Sequence, residues 1–162
     1  MILGVTGHRP SRLAMRRSQQ PLLTLFAADM LREFGPAKVI TGMQCGWDLA
    51  VARACVDLKV PFIAAIPWDG FNAEWSAEDR YLFEELLRRC EEAHYCYPPG
   101  EYNPKKLHGR NKWIVENSNQ MLALWDGYDD GGTASCVRYA QKQGRLVTNV
   151  WLRWRDYVRQ AA

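Results

Sequence analysis

Four short polar stretches in this chain carry residue types that handle anions and sugar hydroxyls. The first is Thr6-Gly7-His8-Arg9-Pro10, with Arg12, Arg16 and Arg17 close behind, and the second is Thr41-Gly42-Met43-Gln44-Cys45-Gly46-Trp47-Asp48. The third is the cationic run Lys105-Lys106-Leu107-His108-Gly109-Arg110-Asn111-Lys112, and the fourth is Asp126-Gly127-Tyr128-Asp129-Asp130-Gly131-Gly132-Thr133. Glycines where a strand turns into a helix let an anion approach the backbone, and the unbonded N–H groups of the first turn hold it. Gly131 and Gly132 have that character, with the Thr133 hydroxyl as a further donor. Gly42 and Gly46 offer the same approach to a second polar group. Each of these glycines also has a purely structural use in a tight turn.

The other side chains carry similar pairs of readings. His8 either bonds within its own loop or touches a ligand. Arg9 is the arginine expected at a ligand, whereas those that follow it suit a solvated face. Asp48, at a helix start, caps that helix or accepts a hydrogen bond from a ribose hydroxyl. Asp126, Asp129 and Asp130 would repel a neighbouring phosphate, so they turn outward or bring a divalent ion with it. Trp68, Phe71 and Trp75 wall a slot for a base, or they pack between helix and sheet, which is the commoner use.

Strands alternating with helices must position these groups. Short apolar runs predict strands at 1–5, 38–41, 62–66, 94–96, 121–125 and 145–150. Helical patterns run from Pro21 to the Gly35-Pro36 stop, over 48–58, after the capping-box-like Ser76-Ala77-Glu78-Asp79, over 111–119 and over 133–143. The alternation predicts one domain, 1–162, with a Rossmann-like, doubly wound, mostly parallel sheet and helices on both faces. In such folds ligands bind beyond the carboxyl ends of the strands, where the strand order reverses.

Bulk properties narrow the classes. The chain has 162 residues and a formal charge of +3, too mild to point to nucleic acid or an anionic membrane. No run approaches the length of a membrane span and no signal segment opens the sequence, so a cytoplasmic protein with no membrane partner is expected. The five cysteines, Cys45, Cys55, Cys90, Cys96 and Cys136, form no C-x-x-C pair. They predict free thiols, with neither a zinc site nor any cofactor. At the C-terminus, "VWLRWRDYVRQ" interleaves Trp151, Trp154 and Tyr157 with Arg153, Arg155 and Arg159. Read as a helix, it packs Trp151, Trp154 and Val158 on the body and leaves the arginines solvated. Nucleic acid is therefore not expected as a partner.

The motifs together resemble the SLOG superfamily, which includes the Lonely guy phosphoribohydrolases, the DprA-type proteins and the small YpsA-like proteins. "VTGHRP" resembles the opening of the YpsA-like branch, and "VITGMQCGWDLAVARA" its glycine-rich second turn. "LHGRNKWIVENSNQMLALWDG" and "DDGGTASCVRYA" are similar to later stretches of the phosphoribohydrolases. The resemblance implies that Gly131, Gly132 and Thr133 hold a nucleotide phosphate. It also implies that Arg110, with Asn111 beside it, lies near the sugar, and that Thr6, Gly7, His8 and Arg9 face the crevice. Where the hydrolases carry a catalytic Glu, three residues past the Thr, this chain has Cys136. A thiol neither stabilises an oxocarbenium-like state nor activates water well. The resemblance therefore favours a domain that senses or sequesters a nucleotide-like small molecule and assembles as a dimer or larger, with Trp113, Trp151 and Trp154 available to an interface. The alternative is an N-glycosidase acting on a nucleoside 5′-monophosphate, with Arg110 at the sugar and Asp48 or Glu116 supplying the carboxylate. Single-stranded DNA binding of the DprA kind ranks third.

Overall fold

Six short runs, buried at the centre of the sheet and more exposed at its two edges, pair side by side as β1 (Ile2–Gly7), β2 (Lys38–Thr41), β3 (Phe62–Ile66), β4 (Glu92–Tyr95), β5 (Gln120–Leu124) and β6 (Leu146–Asn149). The structure, a computed structural model, describes residues 1–13 and 17–161, with Arg17 described in its backbone alone. Arg16 lies outside the described residues. All the strand pairs are parallel, in the order β4-β3-β2-β1-β5-β6. This is the expected doubly wound α/β sheet. Its order reverses at β1, which pairs with β2 on one side and with β5 on the other.

The helices are α1 (Gln20–Phe34), α2 (Trp47–Leu58), α3 (Ala77–Leu87), α4 (Pro104–Glu116), α5 (Gly131–Lys142) and α6 (Trp151–Ala161). They divide between the two faces. Leu3 and Val5 of β1 share a core with Phe26, Val51, Phe83 and Trp154, from α1, α2, α3 and α6. Ile40 and Met121 share the other with Ile114 and Val115 of α4 and Cys136 and Ala140 of α5. Right-handed crossovers require this division once the chain reverses direction at β1.

Local signals set the helix ends. Gly35 takes a left-handed conformation at φ 56° and returns its N–H to the Leu31 carbonyl at 2.9 Å, closing α1. The Ser76 hydroxyl accepts from the Asp79 N–H at 3.1 Å and opens α3. α4 differs most from expectation. It begins at Pro104, capped by Asn103, whose side chain accepts from the Lys105 N–H at 3.0 Å, so the cationic run is helix and not loop. Gly109 hid this, because glycine disfavours a helix interior. Its reason is steric: a Cβ there would lie 1.9 Å from the Tyr97 hydroxyl. β1 also runs two residues beyond its expected end, with Thr6 opposite Ala123 and Gly7 opposite Leu124.

The C-terminal helix follows its amphipathic reading. Trp154 is buried, with Phe26 at 5.4 Å between ring centroids, while Arg153 pairs with Glu33 and Arg159 with Asp156. No helix among the described residues is long and apolar enough to cross a membrane.

Candidate functional site

At the switch point the loops after β1 and β5 part, and the loop after β2 closes the crevice from one side. Packing explains much of Thr6-Gly7-His8-Arg9-Pro10. A Cβ on Gly7 would lie 2.4 Å from the Trp47 ring, and one on Gly46 would lie 2.6 Å from the His8 carbonyl oxygen. Gly46 also sits at φ 94°, where side chains are strained. With both glycines in place, the Trp47 N–H donates to the His8 carbonyl at 3.3 Å, joining the first loop to the start of α2.

His8 is buried as a pin between loops. Its Nε2 accepts from the Asp126 N–H at 3.0 Å, and its ring meets Trp151 edge-on at 6.0 Å. The Asp126 carboxylate also lies 3.1 Å from Nε2, but a nitrogen that accepts from an amide cannot donate to a carboxylate. Burial lowers the His8 pKa despite the pull of Asp126, which agrees with the neutral, accepting ring. Arg9 is exposed and within electrostatic reach of Asp48 and Arg110.

The two most informative groups are Asp48 and Arg110, 7% and 4% exposed. Asp48 is the second residue of α2. Its Oδ2 accepts from the Gln44 N–H at 3.3 Å, and its Oδ1 is buried with no partner among the described residues. Arg110 is anchored from α4. Its Nη1 donates to the Gly42 carbonyl at 2.5 Å and to the Ala65 carbonyl at 3.2 Å, and its Nε donates to Asn111 Oδ1 at 2.9 Å. Gly42 lies between them: a Cβ there would be 2.9 Å from Arg110 Cζ and Nη1 and from Asp48 Oδ2. Yet the two side chains form no ion pair within 4 Å among the described residues. Carboxylate and guanidinium therefore face one another across a glycine floor without direct pairing.

That arrangement is electrostatically costly. Burial pushes the Asp48 carboxyl up to about 6, against the lowering influence of Arg110, and the same burial lowers the Arg110 pKa. The Cys136 thiol lies near the Thr6 hydroxyl and within electrostatic reach of both Asp48 and Arg110. Burial raises this thiol to about 11, so it borders the slot as a neutral group. The slot has an acceptor on one side and donors on the other, the pattern that suits a hydroxyl.

The start of α5 lies beside it. Gly131, Gly132 and Thr133 form its first turn, and their N–H groups have no acceptor among the described residues. Asp130 occupies the capping position without capping. Its carboxylate accepts instead from Arg12 Nη2 at 3.1 Å, and that same Nη2 donates to Asp126 Oδ2 at 2.8 Å. Arg12 Nη1 lies 3.1 Å from where a Cβ on Gly131 would be. Thr133 is 9% exposed and its hydroxyl has no partner among the described residues. Each of the three acids of this loop thus has an arginine, Asp126 and Asp130 sharing Arg12 and Asp129 taking Arg138, with one negative charge left over.

Arg12 therefore does not belong to the solvated face that its place in the sequence suggests. It clasps the loop after β5 to the loop after β1. The carboxylates of Asp126 and Asp130, four residues apart, were the available signal. Glu116 is not brought to the slot. It lies nearly two turns past Arg110, accepts from the Tyr139 hydroxyl at 2.5 Å, and sits toward the amino end of the sheet, where the Asn119 N–H bonds the Ile2 carbonyl. Trp68, Phe71 and Trp75 take the packing role: Phe71 and Trp75 meet Phe83 at 5.6 and 5.7 Å, and Trp68 is buried under Lys106 at 5.6 Å. No cluster of three His, Cys, Asp or Glu that could hold a metal occurs among the described residues.

The aromatic residues expected at an interface are used internally. Trp154 is buried, Trp113 stacks on His94 at 4.0 Å, and Trp151 meets His8.

Comparison with known proteins adds three findings. The model of the YspA SLOG family matches residues 3–149. Among curated proteins, the chain is 28% identical to the SPbeta prophage-derived protein YoqJ of Bacillus subtilis (strain 168) over 65% of this chain and 70% of that one. It is 22% identical to a UPF0398 protein of Bacillus pumilus over 86% of this chain and 81% of that one. Among solved structures, DNA processing protein A of Streptococcus pneumoniae superposes with a TM-score of 0.63 at 18% identity, covering 90% of this chain and 48% of that one. This chain thus spans about half of that relative. The protein TM1055 gives a TM-score of 0.58 at 14% identity, covering 90% and 71%. DNA processing protein A of Helicobacter pylori, described with a single-stranded DNA binding mode, gives 0.63 at 16%, covering 91% and 63%.

Proposed function

The chain belongs to the YspA SLOG family, and from that premise we propose that it binds a ribonucleotide or nucleotide-derived small molecule in the switch-point crevice, as a sensing or sequestering domain. The observation that carries this reading is the buried Asp48 carboxylate, whose Oδ2 lies across Gly42 from Arg110 and whose Oδ1 has no partner among the described residues. A buried acceptor without a donor costs about 1–3 kcal/mol, which a ribose hydroxyl returns by donating to Oδ1 while accepting from Arg110. The open first turn of α5 then receives the phosphate, with the Thr133 hydroxyl as an added donor. Arg9, exposed at the rim, supplies further positive potential.

Calorimetric titration of the full chain with AMP and ADP-ribose tests the reading. Binding is expected in the wild type. Gly42→Ala abolishes it, because the added methyl fills the space between Arg110 and Asp48 at a residue whose backbone is not left-handed. Absence of heat with every nucleotide tried, or unchanged binding in Gly42→Ala, contradicts it.

One observation favours a second, enzymatic reading. Asp48, with its carboxyl at about 6, is a carboxyl in the slot whose proton can move near neutral pH. An N-glycosidase built on Asp48 and Arg110 releases free base from a nucleoside 5′-monophosphate, and Asp48→Asn stops it. The neutral thiol of Cys136 supports binding over turnover, since it offers no second carboxylate. DNA binding is supported less. The arginines of α6 that would serve it include Arg153 and Arg159, both paired with acids. Self-association belongs to the same proposal, and the exposed apolar residues available to it include Leu25, Leu146 and the 73%-exposed Leu152.

A further inference from the structure

We infer that Arg12 is an exchangeable phosphate-binding residue: a phosphate monoester seated on the α5 amides takes Arg12 from Asp130. This rests on the reading above for the ligand that brings the phosphate, and it adds the group that recognises the phosphate and the one that competes with it.

The division of labour on Arg12 argues for exchange. Asp126 is an anchor: it is largely buried, holds Arg12 at 2.8 Å, and is itself fixed by His8 and by the Tyr128 N–H at 3.1 Å. Asp130 is the loose partner. Its side chain is 75% exposed and bonds the same Nη2 at 3.1 Å. Exposed pairs of this kind hold weakly against competitors. Nη1 has only a long contact of 3.4 Å to the Asp130 carbonyl, and it lies over Gly131. An anion on the first turn of α5 would therefore meet Nη1 directly.

Asp130 is also an unusual capping residue. An aspartate at this position ordinarily accepts from the second or third amide of its helix. Here it turns to Arg12 and leaves those amides without a side-chain acceptor. A cation held against a helix N-terminus is unfavourable unless an anion lies between them. A phosphate supplies that anion with more charge and more acceptor oxygens than the carboxylate it replaces. Thr133 is a nine-tenths-buried residue of that same turn whose hydroxyl has no partner among the described residues, and the buried, unpartnered Asp48 Oδ1 points to a ligand independently of the helix end.

The test compares wild type, Arg12→Gln, Asp130→Asn and the control Asp129→Asn. Calorimetry uses AMP and adenosine, and phosphorus NMR follows inorganic phosphate. Exchange requires opposite signs: Arg12→Gln weakens AMP about tenfold or more, while Asp130→Asn tightens it about threefold or more. Adenosine binding and the Asp129→Asn control stay within about twofold. If both Arg12→Gln and Asp130→Asn weaken AMP, the pair is a structural clasp and exchange is overturned. If AMP binds no tighter than adenosine and inorganic phosphate shows no broadening, exchange fails while the ribose slot stands. Arg12-dependent broadening of inorganic phosphate without any nucleotide binding leaves exchange standing and removes the nucleotide reading. Silence from every probe removes both. Asp130→Asn is a solvent-exposed change, so its sign remains readable even if Arg12→Gln folds poorly.

Discussion

At the scale of single residues, Asp48 makes a pH prediction with a definite sign. Burial raises its carboxyl to about 6, above the ordinary carboxylate range. The folded chain thus holds this proton to higher pH than the unfolded chain does. The stability it contributes is complete below the ordinary range and is lost as pH rises through about 6. His8 has the opposite sign: its lowered pKa gives stability that is present above the ordinary imidazole range and is lost as pH falls. Comparison with Asp48→Asn isolates the first effect. Denaturant midpoints at pH 4 and pH 7 should show wild type losing stability relative to Asp48→Asn, by up to about 3 kcal/mol. A constant difference across that range contradicts the buried, unpaired carboxyl. His8 shows why residue roles are only partly legible in sequence. Its placement at the end of β1 marks a switch-point loop, but its partner Asp126 is 118 residues away and Trp151 follows only after β6.

At the scale of elements, α4 carries Arg110 to Gly42, and Gly109 lets it lie against Tyr97. Alanine is the better helix former by about 1 kcal/mol, yet its Cβ would collide with the Tyr97 ring and hydroxyl. Gly109→Ala should therefore destabilise the wild type, whereas in a Tyr97→Ala background it should stabilise by about 1 kcal/mol, read by urea unfolding. The same sign in both backgrounds would remove the steric account. The α6 interface is simpler: Trp154→Ala deletes a buried ring packed on Phe26 and should cost about 3–5 kcal/mol by the same measurement. A cost below about 1 kcal/mol contradicts the packing, because that is the range of an exposed site. Most elements were legible because apolar periodicity and caps such as Ser76 act locally. The start of α4 was not, because the reason for Gly109 lies in Tyr97, on another segment.

At the scale of the whole molecule, strand order does the assembling. Reversal at β1 parts the loops after β1 and β5, and it places α2 and α4 on opposite faces with their polar residues meeting over Gly42. The alternation of strands and helices made this architecture readable, and with it the loops where a ligand belongs. It did not reveal which polar residues would be consumed by packing. Gly7 and Gly46 serve close approach, Glu116 points away from the slot, and Arg12, read as solvated, spans the mouth to Asp126 and Asp130. Long-range pairing is what local patterns do not encode.

The most direct measurement is a crystal structure of the full chain with AMP. The account predicts a ribose hydroxyl bridging Asp48 Oδ1 and Arg110 above Gly42, at hydrogen-bond distances of about 2.7–3.0 Å. AMP bound away from Gly42, such as in the open groove of about 1040 Å³ that shares Arg9 and Gly46 with the crevice and runs on to Leu25, Arg53 and Tyr81, with the Asp48 oxygen still unpartnered, would contradict it.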